Sequence, residues 1–200
     1  LRYSFHFDTA AAFDRRRFLA GLNALLPDTV AALGVDPVPD AFHARYSALG
    51  KSYIYKIWNA PYMDPFLRGR AYHCPGPLDL SSMREAARAF LGAHDFRAFM
   101  ASGSSVTDTV REIFRLDAAA DGPLVTVFVA GSGFLYRMVR SIAGTLLDTA
   151  RGRISPQAVP ALIQNGDRSA VGMTLPACGL YFNEAYYEKE QIDKLLISPH

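Results

Sequence analysis

Arg137 and Arg140 stand three residues apart in a stretch of helical period, beside Phe134, Met138 and Ile142 at four-residue spacing and Leu135 and Val139 at the same interval. That pattern makes a broad apolar face with two guanidinium groups on its flank. A cation on the edge of a buried helix calls for an anion, and arginine suits a carboxylate or a phosphate. Elsewhere aromatic rings alternate with cations: Tyr53-Ile54-Tyr55-Lys56, Arg45-Tyr46 and Tyr136-Arg137. Stacking rings with phosphate-pairing cations are the means by which sheets hold RNA bases. The same rings equally suit an ordinary aromatic core, so the pattern alone leaves both readings open.

Other chemistries are excluded more firmly. Gly131-Ser132-Gly133 lacks the third glycine of a dinucleotide fingerprint and follows a hairpin strand. No Walker A lysine, G-x-S-x-G or H-E-x-x-H string occurs. The five histidines are scattered, His73 and Cys74 fall on opposite sides of an extended segment, and His94-Asp95 follows a helix stop as a cap would. No metal site is expected. Cys74 and Cys178 form neither a C-x-x-C nor a disulfide framework, which fits a reduced, cytoplasmic setting. No apolar run approaches the ~18 residues that span a bilayer, so no membrane partner is expected. Net charge is +2, too little to imply a polyanion by itself. Arginine outnumbers lysine roughly four to one, a bias that phosphate recognition and a GC-rich coding sequence explain equally well.

The elements that must position these residues follow from periodicity. Leu1–Thr9 alternates as a half-buried strand, Asp14 caps a helix to about Leu26, and residues 30–38 read as a second strand. Lys51–Trp58 is a strand with Tyr53, Tyr55 and Ile57 on one face. Residues 66–73 read as a short strand, and Asp79–Leu91 as a helix with a Ser82/Glu85 capping box. Val110–Ala118 and Leu124–Ala130 flank Asp121-Gly122, a hairpin signal. The arginine-bearing helix follows, then a short helix from Ser155-Pro156, a strand at Leu180–Tyr187 and a frayed tail at 188–200. The expected class is α+β: a ferredoxin-like βαββαβ unit over 41–187, a βαβ remnant of a similar unit over 1–40, and the tail.

Five blocks in order carry a family resemblance: FHARYSALGKSYIYKIWN (Phe42–Asn59), HDFRAF (His94–Phe99), VREI (Val110–Ile113), GSGFLYRMVRSIAGTLLDTARGR (Gly131–Arg153) and PACGLYF (Pro176–Phe182). Together the chain resembles the tRNA pseudouridine synthase A family, from His6 to Tyr187. The resemblance implies an isomerase that needs no cofactor or metal, acting as a homodimer on uridines of the tRNA anticodon stem-loop, positions 38–40. Such an enzyme extrudes its target nucleotide, cleaves the N-glycosidic bond, turns the base and rejoins it through carbon.

Carried over by motif, Tyr53 matches the family's active-site tyrosine, Arg140 the arginine paired with the Asp nucleophile, and Leu180 the hydrophobic seat of the pyrimidine. Arg45 and Arg111, in matching motifs, are expected RNA or structural contacts, and Arg137 a phosphate or solvent contact. The family's R-T-D-x-G-V-H nucleophile motif is absent from these residues. Two expectations follow: an active chain with the nucleophilic Asp upstream of Leu1, leaving this stretch inactive alone, or a non-catalytic RNA-binding remnant of the same fold.

Overall fold

The computed structural model describes residues 2–103 and 105–197. They divide into two compact units: Ser4–Ser47, and a larger unit from Ala48 onward that also takes in Arg2 and Tyr3.

In the smaller unit, helix α1 (Arg15–Leu25) begins where the sequence implies: Asp14 Oδ1 accepts from the Arg17 backbone N–H, satisfying one orphan amide of the first turn. The strands expected on either side of it, over 1–9 and 30–38, are absent among the described residues, so the expected βαβ arrangement is reduced to its helix. Alternation places side chains on two faces, but a strand exists only where a neighbour takes up its amides and carbonyls. Leu1 lies outside the described residues.

The larger unit is built on one sheet. Its strands are β1 (Gly50–Trp58), β2 (Tyr72–His73), β3 (Gly92–Asp95), β4 (Val110–Asp121), β5 (Leu124–Gly131) and β6 (Leu180–Tyr186). The order is β2-β1-β5-β4-β3, and β6 pairs antiparallel with β1 over Gly50–Tyr55, just before β2 takes up Ile57 and Trp58. Helix α2 (Leu80–Arg88) links β1 and β2 to β3 and β4, and α3 (Met138–Ala150) links β5 to β6. Strands β6-β1-β5-β4, with α2 and α3 as the crossovers, give the ferredoxin-like order implied by the sequence.

Tyr55, Ile57, Val125, Val127 and Val129 of the sheet meet Met83, Ala86 and Phe90 around α2 and Ile142, Leu146 and Leu147 of α3 in one buried core. The β4–β5 hairpin keeps Asp121 opposite Leu124 as the last ladder pair, so Gly122-Pro123 is the loop and Gly122 supplies the positive φ of +54°.

Several local features differ from expectation. Asp79 caps α2 in place of the Ser82/Glu85 box, its Oδ1 accepting from the Ser81 and Ser82 amides and its Oδ2 from the Ser82 hydroxyl. Only Tyr72 and His73 of the expected 66–73 strand pair with β1, because Pro65–Leu67 forms a 3₁₀ turn. Strand β3 has no counterpart among the elements implied by periodicity. Gly92, at φ +89°, turns the chain straight from the end of α2 into pairing with β4. Lys189–Ile197 form helix α4 rather than a frayed tail, with Gln191 Oε1 accepting the Tyr187 and Glu188 amides at its start, and residues 198–200 of the expected tail lie outside the described residues.

Asp95, at the end of β3, accepts from the Arg97 backbone and guanidinium and from the Thr109 hydroxyl. The Arg97 contact leads in holding its carboxyl down to about 2. The folded value lies below the unfolded one of about 3.9, so this stabilisation is complete above that value and is lost as pH falls towards about 2. Urea unfolding between pH about 5 and 2 should therefore show Asp95→Asn with a flatter acid limb than the parent.

Candidate active site

The arginine-bearing helix starts later than its apolar spacing implies. Arg137 takes a left-handed φ of +59° and ends the turn from β5, so α3 begins at Met138 and Phe134 stays in the turn. This separates the two arginines. The Arg137 guanidinium lies 4.9 Å from the centroid of the neighbouring Tyr136 ring and is exposed. Arg140, on the first turn of α3, is half-buried and points to an extended segment before β6.

That segment, Gly172–Leu175, is laced to α3 residue by residue. Leu175 donates its amide to the Arg140 carbonyl at 3.2 Å, and Arg140 Nε donates to the Leu175 carbonyl. The Ser141 and Thr174 hydroxyls share a hydrogen bond of 3.0 Å, and Gly172 N–H donates to Thr145 Oγ1 at 3.2 Å. Arg168 adds a guanidinium bond to Thr174 Oγ1 and one to the Ala98 carbonyl. The lacing depends on Gly144, where a Cβ would stand 1.8 Å from the Met173 carbonyl oxygen.

Across the sheet, β1 brings Tyr53 and Tyr55 to the same face as Leu180 and Phe182, since Tyr53 pairs with Phe182 and Tyr55 with Leu180 in register. Tyr53 is half-buried between two edge-on rings, Phe134 at 5.1 Å and Phe182 at 5.3 Å, and Tyr3 meets Phe182 at 5.5 Å. Burial, helped by the Tyr3 phenol, raises the Tyr53 pKa, so the ring carries a neutral hydroxyl at physiological pH.

Tyr55 is fully buried and donates to the Pro176 carbonyl at 2.7 Å. Desolvation pushes its phenol well above the usual range; Cys178 and Tyr72 add to this, and Arg140 opposes it. Leu180 opens β6 half-exposed, beside an open groove of about 570 Å³ that Lys56, Leu67, Arg70, Cys178 and Tyr181 also line. The Lys56 ammonium sits 4.7 Å from the Tyr181 ring centroid.

Tyr55 is the link among Arg140, Tyr53 and Leu180: it shares a strand face with Tyr53, is the register partner of Leu180, and lies near enough to Arg140 to feel its charge. Among the described residues no carboxylate lies within ion-pair distance of Arg140, whereas Arg111 stands 3.9 Å from Asp108 and also bonds the Asp108 carbonyl. Arg111 also lies beside Gly133, where a Cβ would meet its Nε at 3.4 Å. Arg45 belongs to the smaller unit, where its guanidinium lies 5.6 Å from the Tyr46 centroid. No group of three or more His, Cys, Asp or Glu able to hold a metal occurs among the described residues, and none of their helices is long and apolar enough to cross a membrane.

A family model for tRNA pseudouridine synthase matches residues 86–188, which include α3, Arg140 and Leu180. The tRNA pseudouridine synthase A of Bacillus subtilis is 44% identical over 183 residues, covering 92% of this chain and 74% of that protein. The tRNA pseudouridine synthase A 2 of Clostridium tetani is 39% identical over 187 residues, covering 94% and 75%. The tRNA pseudouridine synthase A of Geotalea uraniireducens is 44% identical over 181 residues, covering 90% and 74%. The chain belongs to the tRNA pseudouridine synthase family.

Within this family setting the sequence left three supporting residues unassigned: Tyr55, Gly144 and Arg168. Tyr55 reads as one more inward residue of an alternating strand, and Gly144 as a small residue on a buried helix face. Only the position of the Gly172–Leu175 segment gives them meaning, and its pairing with α3 spans more than two dozen residues without a periodic signal.

Gly144→Ala removes a helix-weakening glycine yet drives a methyl into the Met173 carbonyl. Thermal and denaturant unfolding should show a net loss of about 1–3 kcal/mol, the usual cost of overpacking. A neutral or stabilising result would mean that α3 and the segment are not tightly apposed.

Proposed function

We propose that the natural protein containing these residues isomerises uridine to pseudouridine in the anticodon stem-loop of tRNA, with Arg140, Tyr53 and Leu180 as the parts of the site that they supply. The observation that carries the reading is Arg140: its Nε is tied to the Leu175 carbonyl, and no carboxylate of the described residues neutralises the guanidinium.

The reaction needs an ionised Asp at the sugar, and a guanidinium beside a carboxylate keeps it ionised. The target nucleotide must leave its stack, which costs a few kcal/mol that phosphate contacts and new stacking offset. The uracil then rests on Leu180 and stacks on Tyr53, whose neutral hydroxyl donates a hydrogen bond or relays a proton. Attack of the Asp carboxylate on C1′ breaks the C1′–N1 bond and releases the base, the base turns within the apolar seat, C5 attacks C1′ and displaces the carboxylate, and the C5 proton departs while N1 takes one up. Arg137, Arg111 and Arg45 serve phosphate contacts. No R-T-D-x-G string occurs in the 200 residues, so the proposal requires the carboxylate to come from beyond them. The homodimer and the cytoplasmic setting are parts of the same proposal.

Tritium release from tRNA labelled at C5 of uridine tests it in the whole natural protein. Turnover is expected, and Arg140→Ala should abolish it with little loss of tRNA affinity. A near-normal rate in that variant would refute the role of Arg140. Binding of tRNA without any turnover by the natural protein would favour the RNA-binding remnant instead.

A further inference from the structure

We infer that Tyr55 is a positioning residue for Arg140, acting through the consecutive carbonyls of Leu175 and Pro176. The inference rests on the proposed pairing of Arg140 with the nucleophilic carboxylate.

Each link is a contact of the larger unit. Arg140 Nε donates to the Leu175 carbonyl, and the Tyr55 hydroxyl donates to the next carbonyl, that of Pro176, at 2.7 Å. Pro176 has no amide N–H, so the chain at this point cannot anchor itself through a backbone donor of that residue. Upstream, the Leu175 amide is bound to the Arg140 carbonyl, and Thr174 is fixed by Ser141 and Arg168. Downstream, Gly179 lies against the Tyr55 ring, where a Cβ would come within 2.8 Å of its Cζ. Leu180 is the register partner of Tyr55 in the sheet. One fully buried side chain therefore holds both ends of the stretch that accepts the Arg140 Nε bond and presents the pyrimidine seat.

The guanidinium has a fork of donors with fixed relative directions, so fixing Nε fixes where the two Nη groups point. If the Pro176 carbonyl loses its donor, the peptide between Pro176 and Ala177 is free to rotate, and because the ring fixes the Pro176 φ the movement is passed back through the proline to the Leu175 carbonyl. A misplacement of about 1 Å at a reacting group costs roughly a hundredfold in rate. Burial keeps the Tyr55 phenol protonated, so the bond persists at every pH at which carboxylate chemistry runs.

The test is a double-mutant cycle in the whole natural protein, reading tritium release from C5-labelled tRNA. Tyr55→Phe keeps the ring and removes only the oxygen. It should lower kcat by about 10–100-fold with KM for tRNA within about twofold. In an Arg140→Lys background, which lacks the fork, the same change should cost almost nothing further. Loss of the same factor in both backgrounds would assign Tyr55 a merely structural part and overturn the inference, as would a kcat within about twofold of the parent. Near-normal turnover by Arg140→Lys would instead sink the proposed pairing of Arg140. Hydrogen exchange at Arg140 Nε–H, followed by ¹⁵N NMR, gives an independent readout. Exchange should be slow in the parent and faster in Tyr55→Phe, and unchanged protection would overturn the inference.

Discussion

Helix α3 approaches the Gly172–Leu175 segment more closely than side chains permit, and the larger unit depends on that approach. Only a hydrogen at Gly144 leaves room for the Met173 carbonyl. Once the backbones are this near, short polar side chains are long enough to join them, which is why Ser141, Thr145 and Thr174 can be buried or half-buried without an orphaned hydroxyl. Most residues of α3 are buried, so the helix has little freedom to adjust except by moving the segment with it. Arg140 sits at the end of this contact nearest the N-terminus of the helix. Its position is inherited from packing several residues away.

The two tyrosines of β1 show how one strand face can serve two purposes. Tyr55 lies under the helices and is wholly enclosed, so its hydroxyl must find a protein acceptor, and does so at Pro176. Tyr53, two residues earlier, reaches the rim, where edge-on Phe134 and Phe182 leave the ring half-accessible. The arginines divide similarly. Arg137 pairs with the flat face of Tyr136 in solvent, and Arg140 is held by backbone.

Elements with a local cause could be read from the sequence. Alternation gave β1, Asp121-Gly122 gave the β4–β5 hairpin, and Asp14 gave the start of α1. The ferredoxin-like order followed because those elements recur in one sequence, and the family motifs marked Tyr53, Arg140 and Leu180. Features set by distant partners could not be read. Residues 1–9 have a strand's alternation without a ladder among the described residues. Strand β3 is only four residues long and exists because β4 lies alongside. Helix α3 is cut short at Arg137 by a backbone reversal that its apolar spacing does not encode. The Gly172–Leu175 segment has no regular secondary structure at all, so no period could announce its role.

The central place of β1 also governs when the site can exist during synthesis. One of its edges is filled by β5, the other by β6 over Gly50–Tyr55 and by β2 at Ile57 and Trp58, and the buried Ser52–Tyr186 hydroxyl contact closes a loop of 134 residues. Such long closures are entropically costly and slow relative to local helix and hairpin formation. While the chain is still emerging from a ribosome, α2 and the β4–β5 hairpin can assemble around β1, but the Gly50–Tyr55 part of one β1 edge stays open until β6 arrives. An open edge is a template for mispairing with another chain. The same late strand that delivers Leu180 beside Tyr55 also caps that edge, so completing the pocket and losing the aggregation hazard are a single event.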